Sequence, residues 1–278
     1  MKTLNRKAMV VDMISGKNIV LTGCNSGIGL EALKLLVKGD NRILAVDKNI
    51  DVITASFTSD KVIPMEIDVS SKEAVDTIFE TALEKLGSID IFYANAGYPY
   101  YEEFNYVDWD RVQRMFETNV FSPIYSYQKY AEYLGGRKGI FAVTISAIGK
   151  MAMPGFTVYS ASKFAMEGFQ QGLRLEIPDN IQLTCLYPVA TNTNFFKTAN
   201  KIEFKKPFPV QEPDVVARKM IDGIEKGKKT VSPCALFGLS TQLMKFAPFV
   251  RTAYWALEKR KFNEFKAKVK KIKENDRA

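Results

Sequence analysis

Tyr159 and Lys163 are the residues of this sequence best placed to move a proton. They lie four positions apart in a predicted helix, so their side chains share one face. A lysine ammonium beside a phenol lowers the pKa of that phenol from about 10 toward neutrality. Ser146 ends a predicted strand 13 residues upstream of Tyr159. Taken alone, however, Tyr-x-x-x-Lys is more often an exposed pair of helix residues.

The chain has 278 residues and no histidine. A Ser-His-Asp or Cys-His nucleophile system is therefore excluded, and so is a metal site that depends on imidazole. Cys24, Cys185 and Cys234 are widely spaced, so neither a disulfide framework nor a thiolate metal site is predicted. Proton transfer near pH 7 must use tyrosine, lysine, cysteine or a carboxylate.

A glycine-rich turn joins the first predicted strand to the first predicted helix. It contains Gly23, Asn25, Ser26, Gly27, Ile28 and Gly29. Glycines at such a turn let the backbone approach a pyrophosphate, which the positive end of the helix attracts. A tight turn that binds nothing is the alternative. The glycine-rich turn follows the first strand of an alternating strand–helix pattern, and this position favours dinucleotide binding.

Asp47 ends the second predicted strand, soon after the glycine turn. A carboxylate at this position can accept hydrogen bonds from both hydroxyls of an adenosine ribose, and it would repel a 2′-phosphate. We therefore expect NAD(H) to be favoured over NADP(H). Lys48 follows directly and would weaken that preference. The alternative interpretation is that Asp47 only starts a surface turn and contacts no cofactor.

Short apolar segments alternate with helical patterns along most of the chain. The predicted strands are rich in β-branched and aromatic residues and cover residues 18–22, 42–46, 62–67, 89–93, 139–145 and 182–187. Strands of this kind are buried on both faces, and the helices predicted at 70–86 and 108–133 would supply crossovers between parallel strands. We predict an α/β fold: a Rossmann-type, doubly wound parallel sheet in one domain with a helical C-terminal extension.

The excess positive charge lies at the end of the chain. The net charge is +8, and residues 234–278 hold 11 basic and 4 acidic side chains, a net of +7. In this basic tail Phe262, Phe265, Val269 and Ile272 are spaced for one helix face. Such a face predicts either a helix on an anionic membrane or a helix packed on the protein's own body or a partner subunit. Nucleic-acid binding is not predicted, because no reading motif accompanies the charge.

The chain is predicted to have three parts: a leader at 1–16, a dinucleotide-binding catalytic domain at 17–233, and the basic amphipathic tail at 234–278. Asp12 interrupts the apolar run of the leader, unlike a signal peptide. No uninterrupted apolar stretch approaches the roughly 18 residues of a spanning helix. With the unpaired cysteines, these features predict a cytoplasmic protein, with membrane association through the tail left open.

The order of these motifs resembles the short-chain dehydrogenase/reductase family in its common, shorter form, over about residues 17–233. The segment 22–29 looks like the cofactor turn of the family. The resemblance implies further cofactor contacts at Asp68, Val69, Asn95, Ala96, Gly97, Tyr159, Lys163, Pro188 and Thr193. Asn119, Ser146, Tyr159 and Lys163 look like the catalytic tetrad of the family.

The resemblance also implies a role for each residue of the tetrad. Tyr159 would be the acid in ketone reduction and the base in alcohol oxidation, while Ser146 would place the substrate oxygen. Lys163 would bind the nicotinamide ribose and hold Tyr159 partly ionised. Asn119 would bend its helix and anchor a water that passes protons to Lys163. The hydride transfer belongs to the cofactor.

Two positions depart from the family pattern. The glycine that usually follows Pro188 is replaced by Val189, so a different backbone path is expected there. Ala94 stands where asparagine is commoner in the fourth-strand motif. The resemblance also implies a dimer or tetramer built on the helices at 108–133 and 159–177.

Aromatic and methionine side chains dominate the segments that face substrate in this family, which are residues 98–101, 148–156 and 193–209. Such a lining suits a hydrophobic alcohol or ketone, and the alternative is that several of these aromatics are core residues. We predict an NAD(P)-dependent oxidoreductase that interconverts a hydrophobic secondary alcohol and ketone of steroid or long-chain lipid type. A non-catalytic dinucleotide sensor or membrane-surface adaptor on the same fold is the alternative.

Overall fold

The structure is a computed structural model that describes residues 14–275, apart from the side chains of Gln242 and Lys245. Residues 1–13 of the predicted leader and residues 276–278 of the predicted tail lie outside the described residues. The strands are β1 (Asn18–Thr22), β2 (Arg42–Asp47), β3 (Val62–Glu66), β4 (Ile91–Ala94), β5 (Gly139–Thr144), β6 (Ile181–Leu186), β7 (Ala190–Thr191), β8 (Val210–Gln211) and β9 (Thr230–Val231).

Helices connect most of these strands. They are α1 (Gly27–Leu36), α2 (Asp51–Ser56), α3 (Lys72–Leu86), α4 (Trp109–Phe116), α5 (Ser122–Leu134), α6 (Thr157–Leu173), α7 (Phe195–Ala199), α8 (Pro213–Glu225), α9 (Ala235–Phe246) and α10 (Pro248–Asn275). A π-helical turn (Glu117–Phe121) joins α4 to α5, and a 3-10 turn (Ala147–Gly149) follows β5.

Seven of the strands form one parallel sheet in the order β3-β2-β1-β4-β5-β6-β9. The chain runs outward from β1 to β3 and returns to β4, so that Val20 of β1 lies between Leu44 of β2 and Phe92 of β4. The direction of winding reverses between β1 and β4, and the crevice at the carboxyl ends there is where such sheets bind ligands. The predicted doubly wound parallel sheet is confirmed.

Helices cover both faces of the sheet and bury its β-branched and aromatic residues. On one face α1 and α8 enclose a core that contains Leu33, Ile43 and Met220. On the other face α3, α5 and α6 enclose a core in which the rings of Phe79, Phe92 and Phe141 stack. Both faces are apolar because every crossover brings a helix over the sheet.

Two helices begin or break differently from the sequence prediction. The helix predicted from residue 70 begins at Lys72, because the hydroxyl of Ser71 caps it by accepting a hydrogen bond from the backbone N–H of Ala74 at 3.1 Å. The single helix predicted at 108–133 is divided by the π-helical turn, which contains Asn119. A π-helical turn inside an α-helix often marks a functional site.

Three short strands, β7, β8 and β9, were not predicted. β9 extends the sheet beyond β6, and β7 pairs with β8 in a separate two-stranded parallel ladder. Each of these three strands has only two residues, too few for a periodic pattern. The β7 pairing directly follows Val189, at the departure from the family pattern.

The tail packs on aromatic residues that precede and follow α6 in the chain. The ring of Phe265 in α10 lies 4.8 Å from the ring of Tyr101 and 5.9 Å from that of Phe204, measured between centroids. Phe262 and Val269 join the same cluster, whereas Ile272 is 37% exposed. Of the two alternatives for this stripe, contact with the protein's own body is therefore the one the structure shows.

Phe265→Ala should lower the free energy of unfolding by about 3 kcal/mol, because it empties a buried ring position between α10 and the body. Chemical denaturation followed by tryptophan fluorescence measures this change, since Trp255 of α10 donates a hydrogen bond to the Ala152 carbonyl at 2.8 Å. Phe249→Ala is the control, because Phe249 is 74% exposed and its loss should change stability by less than about 0.5 kcal/mol. Equal losses in the two variants would contradict this arrangement of α10.

Candidate active site

One cavity of about 820 Å³ lies at the carboxyl ends of the central strands. Residues that follow β1, β4, β5 and β6 form its walls, together with Asp47 at the end of β2. The cavity therefore occupies the crevice where the direction of winding reverses.

The glycine turn leaves no room for side chains at two of its positions. A Cβ atom on Gly29 would lie 2.0 Å from the carbonyl oxygen of Gly23, and one on Gly23 would lie 2.7 Å from the Cα of Ala96. Gly23 also has a φ of +70°, which glycine adopts without strain. The turn therefore brings bare backbone and the N-terminus of α1 to the cavity, as a bound pyrophosphate requires.

Asn25 holds the glycine turn to the second strand. Its backbone N–H donates to a carboxylate oxygen of Asp47 at 2.9 Å, and its side-chain oxygen accepts from the N–H of Val52 at 2.9 Å and of Ile53 at 3.1 Å. Asn25 does not line the cavity, whereas Asp47 and Lys48 do. The structure therefore places Asn25 behind the predicted cofactor surface and Asp47 on it.

Asn95 joins the ends of three strands through its side-chain amide. Its Nδ2 donates to the carbonyl of Gly23 at 2.9 Å, and its Oδ1 accepts from the hydroxyl of Thr144 at 2.9 Å. The hydroxyl of Thr22 accepts from the backbone N–H groups of Asn95 and Ala96, both at 3.1 Å. These bonds fix the glycine turn relative to β4 and β5.

Ser146 follows β5 in a conformation that is rare for serine. Its φ is +134°, the one positive φ outside glycine among the described residues. Such a backbone costs on the order of 1–3 kcal/mol and persists when the surroundings impose it. Here the neighbouring residues continue to pair with β6: the N–H of Ile145 donates to Leu186 and that of Ala147 to Pro188, both at 2.9 Å. The Ser146 side chain lines the cavity.

Tyr159 lies in the first turn of α6, with its ring between the rings of Phe156 and Phe195 and its edge on the cavity. Burial raises the pKa of its phenol well above the usual value, and a hydrogen bond with Ser146 opposes part of this rise. The direction is opposite to the one expected from the lysine pair alone, because removal from water is the larger effect.

Lys163 is buried one turn after Tyr159. Its ammonium donates to the carbonyl of Thr144 at 3.2 Å and lies 5.6 Å from the centroid of the Tyr159 ring. Burial lowers the pKa of Lys163 to about 8, since the charged form is poorly solvated there. When it is protonated, the Lys163 ammonium is close enough to the Tyr159 phenol to stabilise a phenolate there.

Asn119 lies in the π-helical turn and contacts the loop after β4. Its Oδ1 accepts from the N–H of Tyr98 at 3.1 Å, and its Nδ2 donates to the carbonyl of Tyr98 at 3.0 Å. A Cβ atom on Gly97 would lie 3.0 Å from this Oδ1 and 3.6 Å from the Nζ of Lys163. Gly97 therefore leaves a narrow gap between the amide of Asn119 and the ammonium of Lys163.

Most of the residues predicted for the site share the one cavity. Its walls include Gly23, Ser26, Gly27, Ile28, Gly29, Asp47, Asp68, Val69, Asn95, Ala96, Gly97, Ser146, Tyr159, Pro188 and Thr193. Asn25, Asn119 and Lys163 lie behind this surface and act on it through the contacts given above. Arg114, a basic residue of α4, also lines the cavity and was not predicted from the sequence.

The predicted substrate segments divide between the cavity and the core. Met151, Met153, Phe156, Phe195 and Phe196 line the cavity. Tyr101 and Phe204 instead stack on each other, with centroids 3.8 Å apart, beneath α10. The alternative that some of these aromatics are core residues is therefore correct for these two.

The basic tail supplies a wall of the cavity that the sequence did not predict. Phe237, Ser240 and Met244 of α9 and Val250 and Tyr254 of α10 line it. The hydroxyl of Tyr254 donates to the carbonyl of Phe208 at 2.7 Å, which joins the tail to the loop before β8. The sequence feature that could have indicated this wall is that α9 has apolar residues on more than one side.

The cavity fits a nicotinamide dinucleotide by its own features. One end has a glycine turn at a helix N-terminus, with Asp47 beside it, and the other end has Ser146 and Tyr159. Within the described residues, no group of three or more Cys, Asp or Glu side chains could hold a metal ion. Among the same residues, no helix is both long and apolar enough to cross a bilayer.

Two curated relatives have similar sequences. The 3-dehydrosphinganine reductase of Danio rerio is 27% identical over 238 residues, which are 79% of this chain and 71% of that protein. The 17-beta-hydroxysteroid dehydrogenase 13 of Homo sapiens is 25% identical over 245 residues, which are 84% of this chain and 80% of that protein.

Solved structures with low sequence identity share the fold. A short chain dehydrogenase/reductase from Burkholderia phymatum, in complex with NAD, has a TM-score of 0.74 at 18% identity and covers 85% of this chain and 95% of its own. A short chain dehydrogenase from Burkholderia cenocepacia, in complex with NADP, has a TM-score of 0.73 at 21% identity and covers 87% of this chain and 98% of its own.

The family described as short chain dehydrogenase matches residues 17–203, more than half of the chain. The glycine turn and the Ser146–Tyr159–Lys163 group lie within this matched range, whereas the cavity wall formed by α9 and α10 lies beyond it. The chain therefore belongs to the short-chain dehydrogenase/reductase family and is an NAD(P)-dependent oxidoreductase that acts on CH–OH groups.

Proposed function

We propose that this protein interconverts a hydrophobic secondary alcohol and the corresponding ketone, with Tyr159 as the proton-transfer group. The observation that carries this proposal is the cavity that joins a dinucleotide-type glycine turn to Ser146 and Tyr159 and has aromatic and methionine side chains in the wall near them, among them Met151, Met153, Phe156, Phe195 and Phe196. A bound nicotinamide cofactor would supply or accept the hydride.

Ser146 and Tyr159 would bind the reacting oxygen together. In the reducing direction, the Ser146 hydroxyl donates a hydrogen bond to the carbonyl oxygen of the ketone and places it at the phenol. Tyr159 then donates its proton to this oxygen as negative charge develops on it, and the alcohol leaves. In the oxidising direction, the phenolate accepts the alcohol proton. The raised pKa of Tyr159 keeps the acid form dominant at neutral pH, which suits ketone reduction.

Lys163 and Asn119 would support Tyr159 from behind. The buried ammonium stabilises the phenolate that remains after the proton has been donated, because opposite charges attract strongly where water is excluded. Asn119 is held by both polar groups of the Tyr98 backbone, so its amide has a fixed orientation toward the gap at Gly97. A water in that gap would pass a proton from solvent to Lys163.

NAD(H) is the proposed cofactor. Asp47 lines the cavity beside the glycine turn, and the N–H of Asn25 fixes its carboxylate there. Lys48 also lines the cavity, but its ammonium points toward the ring of Tyr98, 5.9 Å from the centroid. The carboxylate is therefore the group we expect to face a ribose 2′ position.

The proposed substrate is of steroid or long-chain lipid type. The apolar lining supports this class, and so do two relatives whose names refer to a 3-dehydrosphinganine and to a 17-beta-hydroxysteroid. We further propose a cytoplasmic protein that makes peripheral contact with membranes through its tail. It would form a homo-oligomer through the helices around Phe121 and Phe164, two exposed aromatic residues, and it would bind no nucleic acid.

Tyr159→Phe should lower kcat by about 10² to 10⁴-fold, because the phenylalanine ring keeps the shape of the site and cannot donate a proton. Turnover is measured with a ketone found by screening steroids and long-chain ketones, and NADH binding is measured by fluorescence titration. NADH binding should stay within about twofold. Tyr127→Phe is the control, because Tyr127 is buried in the core away from the cavity. Near-normal turnover of Tyr159→Phe would refute the proposed role.

The two directions of the reaction should depend differently on pH. Burial raises the pKa of Tyr159 and lowers that of Lys163 to about 8, so kcat/KM for reduction should stay flat across about pH 6 to 7, where Lys163 keeps its charge, whereas kcat/KM for oxidation should rise with pH as phenolate forms. Lys163→Met removes the cation that favours phenolate and should move the oxidation profile to higher pH by about one unit. Lys85→Met, an exposed change on α3, should leave the profile in place. An unchanged profile in Lys163→Met would contradict the proposed electrostatic role.

Asp47→Ala should increase the ratio of kcat/KM for NADPH over NADH by about tenfold or more, because it removes a carboxylate that repels the 2′-phosphate. Steady-state kinetics with both cofactors measures this ratio. Asp51→Ala removes the same charge from a nearby residue that does not line the cavity, so its ratio should match the wild type. If both variants shift equally, the preference comes from net charge and not from Asp47.

A further inference from the structure

One side of α9 exposes large apolar side chains to solvent. Leu236, Leu239, Leu243 and Phe246 are 53%, 72%, 53% and 87% exposed, and Phe249 at the start of α10 is 74% exposed. At about 100° per residue, the four residues of α9 fall within an arc of roughly 80°. We call these five residues the α9 face.

Nothing between residues 14 and 275 covers the α9 face, and the opposite side of the helix faces the cavity. Phe237, Ser240 and Met244 point to the cavity and form part of its wall. The helix therefore presents apolar side chains both inward and outward. Contiguous exposed apolar surface of this size is uncommon in a soluble monomer and marks a surface that another body covers.

The cavity opens beside the α9 face. Leu236 and Phe208 both line the cavity, and they are 53% and 62% exposed. Because these two residues belong both to the cavity wall and to the outer surface, they lie at the mouth of the cavity. A molecule that covers the α9 face would therefore meet the entrance used by the substrate.

The charge around the α9 face is positive. Residues 235–262 contain five Lys and Arg and a single acidic residue, Glu258. The Glu258 side chain is buried and bonded to the ammonium of Lys261 at 2.8 Å, so it offers no negative charge to the surface. Arg251 is exposed in the first turn of α10, and Lys259 and Arg260 are exposed about two turns later, where Arg260 lies 3.6 Å from a carboxylate oxygen of Glu264. A second copy of the same surface would bring these cations together, which opposes self-association through this face.

We propose that the α9 face inserts into the boundary between headgroups and acyl chains of an anionic bilayer, so that the mouth of the cavity opens onto the lipid. A short helix with exposed leucine and phenylalanine residues and neighbouring cations is suited to lie in this layer without crossing it. The contact with lipid locates the peripheral membrane contact of the proposed function in α9, and the direct passage of a hydrophobic ketone from bilayer to cavity rests in addition on the proposed reaction.

Flotation of the full-length protein with vesicles tests the contact. Wild type should float with vesicles of phosphatidylcholine and about 30% phosphatidylserine, and less with phosphatidylcholine alone or in high salt. The variant L239S/F246S/F249S should reduce the floated fraction by about tenfold. The matched control L83S/L175S/V215S removes three other exposed apolar side chains and should float like wild type.

The position of the cavity mouth is tested with a fluorescent label. The three native cysteines are buried, so Phe208→Cys provides a selectively accessible thiol for a polarity-sensitive dye. Its emission should shift to the blue when anionic vesicles are added, while the same dye on Leu175→Cys, which lies before β6 at the opposite end of the sheet, should not respond.

Three results would overturn the inference. The first is that the wild-type protein does not float with anionic vesicles. The second is that the L239S/F246S/F249S variant floats as well as its control. The third is that the emission of the dye at position 208 does not change when vesicles are added. A variant that changes the oligomeric state in sedimentation, with no flotation of the wild type, would assign the face to a second copy. None of these measurements involves turnover, so failure of the proposed reaction would be seen separately in the Tyr159→Phe experiment.

Discussion

The site depends on a short series of hydrogen bonds that links the end of β1 to α6, the helix that carries Tyr159 and Lys163. The carbonyl of Gly23 accepts from Asn95, the oxygen of Asn95 accepts from the Thr144 hydroxyl, and the carbonyl of Thr144 accepts from Lys163. Each bond is partly buried, so breaking it would leave polar groups with reduced access to water. The surface suited to a cofactor and the group suited to proton transfer are thus held at a fixed separation by backbone and side chains of three neighbouring strands.

The sequence was sufficient to predict the parts of this arrangement that follow from local pattern. Parallel strands buried on both faces have a simple apolar signature, and the glycine turn and the Tyr159–Lys163 spacing are short-range features. Once the sheet order is known, the ends of β1, β4 and β5 must meet. The positions of Gly29, Ser146 and Tyr159 around one cavity follow from that topology.

The features that the sequence did not predict are those set by tertiary contact. Nothing local distinguishes Tyr101, which lies beneath α10, from Tyr100, which lines the cavity. The stripe at Phe262 and Phe265 has the spacing of an interfacial helix and is nevertheless buried against the body, because matching aromatic residues from distant segments meet it. Burial likewise reversed the expected direction of the Tyr159 pKa, since a spacing argument contains no information on solvation.

If Ser146 places the substrate oxygen as proposed, its positive φ marks a position where stability is exchanged for chemistry. A serine in that conformation is less favourable than a glycine would be, and a glycine would have no hydroxyl to place a substrate oxygen. Free energy that could have stabilised the native state is instead retained as local strain at the reacting centre. Selection for thermal stability and selection for turnover would therefore favour different residues at this one position.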